Sequence, residues 1–141
     1  MNAYFDASGF VKLLATEPGA DLAMAVWESA DIAVTSRITY VEVRAALAAA
    51  RRQGRLSAEG AAEARRGLES RFRVMQVVEV TDEVARSAGD LAGAHALRGY
   101  DAVHLASSLT LADDTVMVTW DRELAVAAYR SGLDLAGITL E

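Results

Sequence analysis

An α/β domain with a mainly parallel sheet is predicted for this chain by two observations. Short apolar runs alternate with longer helical patterns along its whole length. Most of the short runs are near-continuous in apolar residues, as strands covered on both faces require. A third observation sets the scale: 141 residues suit one domain, residues 1–141, large enough to bury a core without staples. No internal repeat, low-complexity tract or linker divides it.

The first strand, 3–6, is the run Ala3-Tyr4-Phe5-Asp6, and Asp6 ends it. A helix over about 8–15 follows, and Pro18, the single proline, breaks it from a second helix at 20–29. The second strand is 32–35. A long helix spans 38–53 and stops at Gly54, and the next, 57–72, opens at Ser57 with Gly60 where a capping box would put Glu. After a strand at 75–80, Thr81-Asp82-Glu83 opens a helix over 82–96. Gly99 reads as a stop or turn before a helix at 100–112. The strand 115–119 runs into Trp120-Asp121. A helix at 122–131 then ends at Gly132, and a strand at 135–139 closes the chain.

Composition removes several function classes. Apolar residues make up 52% and charged residues 24%, the balance of a globular domain rather than a disordered one. There is no cysteine, so disulfides and thiolate metal sites are excluded, and two histidines, His95 and His104, cannot build a His-rich zinc centre. The N-terminal MNAYFDASGFVK lacks the basic segment and long apolar stretch of a signal peptide. No apolar run approaches the roughly 20 residues that span a bilayer, so a soluble, cytoplasmic protein with no membrane partner is expected.

A formal net charge of −6 argues at face value against binding nucleic acid. Its distribution weakens that argument. Arg51, Arg52, Arg55, Arg65, Arg66, Arg71 and Arg73 lie in one segment against only Glu59, Glu63 and Glu69. Such a segment is either a pair of solvated helix faces or a rim that attracts phosphate or an acidic partner.

Four acids stand where core-forming segments start or turn: Asp6, Glu42, Asp101 and Asp121. In an open α/β sheet the ligand site lies outside the carboxyl ends of the strands. Asp6 and Asp121 sit at such ends, and Asp101 and Glu42 belong to helices that can point at the same crevice. Helix capping is the competing explanation for each aspartate. It does not explain Glu42. On the 38–53 helix, Glu42 shares a face with Ile38, Ala45, Ala46 and Ala49, while Tyr40, Val43 and Leu47 extend the apolar surface. A carboxylate there must be protonated, paired with an arginine such as Arg98, or metal-bound, because burying it alone costs several kcal/mol.

Carboxylates gathered in one site repel each other unless a cation neutralises them. With no sulfur and little imidazole, the donor set suits Mg²⁺ or Mn²⁺. Such ions lower the pKa of a bound water for in-line attack on a phosphodiester and neutralise the phosphoryl oxygens. They also reconcile an acidic site with an anionic substrate. Ser8, Ser36 and Thr119 are neutral helpers or local caps. His104, one turn after Asp101, either orients a ligand or sits satisfied in the core, and Trp120 either stacks on a base or packs. Dinucleotide-binding, P-loop and nucleophile-elbow motifs are absent.

Four segments together carry a family likeness. They are Phe5-Asp6-Ala7-Ser8-Gly9-Phe10-Val11-Lys12-Leu13-Leu14, Thr35 to Leu47 around Glu42, Leu97 to Ala106 around Asp101, and Val118-Thr119-Trp120-Asp121-Arg122-Glu123-Leu124. Taken in order and spacing, the chain resembles the PIN-domain proteins, and among them the VapC toxins of type II VapBC toxin–antitoxin pairs, from near residue 2 to about 138. The resemblance implies a three-layer α/β/α PIN-like fold with a central, mainly parallel sheet of about five strands. It also implies a Mg²⁺- or Mn²⁺-dependent endoribonuclease whose acids map to Asp6, Glu42, Asp101 and Asp121, with Thr119 and Ser8 supporting. Asp6 and Asp101 are then the usual metal contacts, completed by Glu42 and Asp121. Homodimers, and a heterotetramer or larger complex with a VapB-like antitoxin, are implied as well. Arg44, Arg51, Arg52 and Arg55 become candidates for contact with RNA or antitoxin.

Two other classes remain to be weighed. A non-cleaving protein or RNA interaction module would need no intact acid set. Another metal-dependent phosphoryl-transfer enzyme, such as a phosphatase with an aspartyl nucleophile, commonly wants a second acid two residues after the first, where this chain has Ser8.

Overall fold

In the computed structural model, which describes residues 1–140, five strands form a sheet: β1 (Asn2–Phe5), β2 (Ile32–Ser36), β3 (Gln76–Val78), β4 (Thr115–Thr119) and β5 (Asp134–Gly137). The order is β3-β2-β1-β4-β5 and every pair is parallel, so each strand reaches the next through a helical crossover. The helices are α1 (Ala7–Lys12), α2 (Ala20–Ser29), α3 (Arg37–Arg52), α4 (Ala58–Val74), α5 (Asp82–His95), α6 (Gly99–Ser108) and α7 (Arg122–Arg130).

The period-two alternation of the strands sorts the core into two halves. Ala3 and Phe5 of β1, with Val116 and Val118 of β4, pack beneath Phe10, Ala23, Val43, Leu47 and Leu68 of α1 to α4 and Leu13 at the C-cap of α1. Tyr4, Val34 and Met117 point the other way, onto Val84, Leu105, Leu124 and Ala128 of α5 to α7. The result is three layers, α/β/α. Among the described residues no helix is long and apolar enough to cross a membrane.

This topology makes the crevice. β1 and β4 are neighbours at the middle of the sheet. The chain leaves β1 toward β2 across one face and leaves β4 toward β5 across the other. Their carboxyl ends therefore part, and ligands bind at such switch points. Gly9 lets α1 press close to the sheet there: a Cβ on Gly9 would lie 2.3 Å from the Val118 carbonyl oxygen.

Several boundaries differ from the sequence expectation, each for a local reason. The third strand stops at Val78, because Glu79 turns out to bond Arg37 and Val80 is exposed. The sixth helix ends at Ser108, where the Ser108 and Thr110 hydroxyls donate to the Leu105 and Ser107 carbonyls and close the last turn. Gly99 begins α6 rather than ending α5; Ala96 takes the left-handed position there, with φ of 54°. The buried face of α3 is Thr39, Val43, Leu47 and Ala50, not the Ile38–Ala49 stripe, and Ala45 and Ala46 are exposed. Val43 and Leu47 set the rotation because they carry far more apolar area than alanines.

Candidate active site

Asp6 follows β1 directly and caps α1: Gly9 N–H donates to its Oδ1 at 2.8 Å. The Ser8 hydroxyl donates to Oδ1 at 2.7 Å, and the Thr119 hydroxyl, from the end of β4, donates to Oδ2 at 2.7 Å. The residue is only 3% exposed. All these partners are neutral, and none of the ion pairs among the described residues involves Asp6. Burial accordingly pushes its pKa above the ordinary carboxylate value, against the opposing pull of these hydrogen bonds.

Asp121 lies just beyond β4 and caps α7 through Leu124 N–H at 3.0 Å, while its own N–H donates to Thr119 Oγ1 at 3.0 Å. Asp101 sits in the first turn of α6 but does not cap it; the N-cap is Arg98, whose side chain makes no capping bond. The capping explanation thus accounts for Asp6 and Asp121 and fails for Asp101. Arg98 Nε meets Asp101 Oδ2 at 3.2 Å, and its terminal nitrogen meets Asp121 Oδ2 at 3.3 Å. Burial first, and then the charge of Asp121, raise the Asp101 pKa despite Arg98.

Glu42 is half-buried, and its partner is His104 rather than Arg98: His104 Nε2 lies 2.6 Å from Glu42 Oε1. The other ring nitrogen, Nδ1, is 2.8 Å from the Tyr4 hydroxyl. His104 is therefore a satisfied core residue and an orienter of Glu42 at once. Tyr4, on β1 two positions before Asp6, is a site residue that the sequence reading lacks; its i, i+2 spacing from Asp6 in extended backbone is the signal that points to it. Arg98 was expected only as a partner for Glu42, and its place between two other acids follows from its position as N-cap of the helix whose first turn carries Asp101.

The structure thus brings the four acids to one end of the sheet, with Thr119 shared by Asp6 and Asp121, Arg98 shared by Asp101 and Asp121, and Glu42 held separately by His104. They do not converge on one point: among the described residues no three His, Asp or Glu side chains are grouped as a metal cage. Arg98 holds Asp101 and Asp121, and His104 holds Glu42. Ser8 and Thr119 both donate to Asp6, Ser8 also accepting from Trp120 N–H at 2.9 Å. Ser36 caps α3 through Ile38 N–H. Trp120 packs, with Gly19 against its ring and Lys12 Nζ 5.2 Å from its centroid.

The arginines behave differently from one another. Arg44 donates to the Tyr40 hydroxyl at 2.8 Å, two residues from Glu42. Arg51 lies nine positions beyond Glu42 on α3, roughly 14 Å along the axis, so Arg51, Arg52 and Arg55 are exposed well away from the acids. Arg71 packs over Trp27, 4.8 Å from the ring centroid.

The donor chemistry fits a hard divalent cation. Asp6 offers a buried carboxylate with no ion-pair partner among the described residues, and Asp101 and Asp121 already share a positive group between them. Oxygen donors of this kind suit Mg²⁺ or Mn²⁺.

A family model described as the PIN domain matches residues 3–129. The chain is 50% identical over 139 residues to Ribonuclease VapC45 of Mycobacterium tuberculosis, covering 98% of this chain and 96% of that relative. It is similar in fold to the Mycobacterium tuberculosis toxin VapC20, described as cleaving the sarcin-ricin loop, with a TM-score of 0.69 at 17% identity over 89% of this chain and 94% of that one. It is similar also to VapBC2 of Rickettsia felis bound to a promoter DNA fragment, with a TM-score of 0.64 at 11% identity over 97% and 98%.

Proposed function

Because the chain belongs to the PIN domain family, in its VapC branch, we propose that it is the toxin of a VapBC-type pair, an endoribonuclease that hydrolyses RNA phosphodiester bonds with Mg²⁺ or Mn²⁺. The observation that carries this reading is Asp6, a carboxylate nearly closed off from solvent and bonded only to neutral donors. Such a charge calls for a cation.

Asp6, Glu42, Asp101 and Asp121 are the residues that would hold the ion. Its chemistry, when bound, is to acidify a water and neutralise phosphoryl oxygens. The chain does the rest. Ser8, Gly9 and Thr119 fix both oxygens of Asp6, so the carboxylate is set before substrate arrives. His104 fixes one oxygen of Glu42. Arg98, whose side chain is 75% exposed, neutralises Asp101 and Asp121 in the resting site and can swing out, freeing both and offering its guanidinium to an RNA phosphate.

A VapB-like antitoxin is the proposed partner and a homodimer the proposed assembly, in a heterotetramer or larger complex and in the cytoplasm. Support comes from the 50% identical relative named as a VapC ribonuclease and from the shared fold of the Rickettsia felis VapBC pair. Exposed Arg51, Arg52 and Arg55 are assigned to contact with antitoxin or RNA outside the acidic crevice.

The test is cleavage of structured RNA by purified protein with Mg²⁺ or Mn²⁺, with chelator, and with Asp6→Asn in place of the wild type. Metal-dependent products lost in the variant support the reading. Equal products from the variant, or none from a folded, metal-loaded wild type across transfer and ribosomal RNA, overturn it.

A further inference from the structure

The geometry points to Tyr4 and His104 as a positioning relay that presents Glu42 to the cation in a single orientation. It rests on the reading of Glu42 as one of the acids that hold the ion, and it adds two residues with no direct contact to substrate. Tyr4 sits on β1, His104 on α6 and Glu42 on α3, so the relay crosses the sheet and ties its two helical layers together at the site.

The hydrogen bonds admit one consistent neutral assignment. A carboxylate accepts only, so Nε2 must carry the hydrogen shared with Glu42 Oε1 at 2.6 Å. In the neutral ring Nδ1 then holds a lone pair and accepts from the Tyr4 hydroxyl at 2.8 Å. Tyr4 is fully buried, and its neutral hydroxyl is the donor that this pairing requires. Both ring nitrogens are thereby used, and the imidazole of His104, only 1% exposed, can neither flip nor rotate without breaking two bonds. Edge-on packing of the Tyr4 and His104 rings, 5.9 Å between centroids at 70°, closes off the remaining freedom.

The consequence falls on Glu42. Its Oε1 is held by His104, and Oε2 carries no hydrogen bond within the described residues, so one oxygen is anchored and the other available. A glutamate on a helix surface otherwise samples several rotamers, and ordering them at the moment of binding costs affinity. Donors placed behind a ligating carboxylate typically change metal affinity or activity by about 10–100-fold.

The experiment combines ring spectroscopy with Mn²⁺ calorimetry on the full chain. In metal-free protein, ¹⁵N-resolved spectra of His104 should show Nε2 protonated and Nδ1 bare. His104→Leu should weaken Mn²⁺ binding by about tenfold or more, and His104→Gln, which restores an N–H donor toward Glu42, should recover most of that loss. Tyr4→Phe, nearly equal in volume, should leave the fold intact, mix the two ring tautomers and weaken Mn²⁺ binding severalfold. An Nδ1-protonated or doubly protonated ring overturns the relay, as does wild-type Mn²⁺ affinity in Tyr4→Phe or in folded His104→Leu. Wild-type affinity in Glu42→Gln is a different failure: it removes Glu42 from the site and with it the reading beneath.

Discussion

The Thr119 hydroxyl donates to Asp6 Oδ2 at 2.7 Å, joining the carboxyl ends of two adjacent parallel strands across 113 positions of sequence. The same oxygen of Thr119 accepts from Asp121 N–H at 3.0 Å. One buried hydroxyl therefore sets the spacing between two of the four acids. Thr119→Val keeps the shape and removes both bonds. We expect a loss of about 1–3 kcal/mol of stability from the unsatisfied groups, read by urea denaturation, and RNA cleavage reduced by roughly 10–100-fold.

Asp6→Asn should abolish cleavage and yet raise the melting temperature of metal-free protein by a few degrees at pH 7. The folded-state pKa of Asp6 is raised by burial, so its contribution to stability is full below the unfolded carboxylate value and lost as pH climbs through the folded value. The gap between variant and wild type should therefore be small in acid, widen through that window and level off above it. Thermal melts across a pH series without divalent ions check this.

Mg²⁺ or Mn²⁺ should close the same gap by stabilising the wild type. An ion at about 100 times its dissociation constant adds roughly 2.7 kcal/mol, and Asp6→Asn should show little of that gain. Because the pKa of Asp101 is also raised, protons compete with the ion, and affinity should fall as pH drops through the raised carboxylate range. Calorimetry at several pH values reads it.

Arg98→Gln should tighten Mn²⁺ binding severalfold, since the resting counter-ion of Asp101 and Asp121 is removed. Cleavage should not rise in proportion if Arg98 also meets the RNA phosphate. Unchanged Mn²⁺ affinity would show that Arg98 does not compete for these acids.

Gly9→Ala should be far more damaging than an ordinary glycine-to-alanine change inside a helix, which stabilises by up to about 1 kcal/mol. The new Cβ would meet the Val118 carbonyl oxygen at 2.3 Å, so α1 must lift and carry Asp6 with it. Reduced stability together with reduced cleavage is the expected result, from melts and RNA assays on one preparation.

Most of the architecture was legible because both faces of the strands are covered: Val116-Met117-Val118 reads as a buried strand and is one. Helix starts carried by Ser57, Thr81 and Asp121 were legible from their caps. The rotation of α3 was not, since Ala45 and Ala46 are as apolar as Ala50 in sequence and only packing of Val43 and Leu47 decides among them. The acids themselves were legible as four residues at one end of the sheet. Their partners were not, because Glu42 and His104 are 62 positions apart and Tyr4 is 100 from His104. Sequence spacing carries no information about which of several cations or donors a carboxylate meets across a sheet.

The most direct test of the central claim is the anomalous diffraction of Mn²⁺ in crystals of this chain. The account predicts a peak in the crevice between the ends of β1 and β4, within inner-sphere reach of Asp6 and Asp101, with Arg98 withdrawn from Asp101. A crevice without a peak at saturating Mn²⁺, or a peak confined to other surface carboxylates, contradicts it.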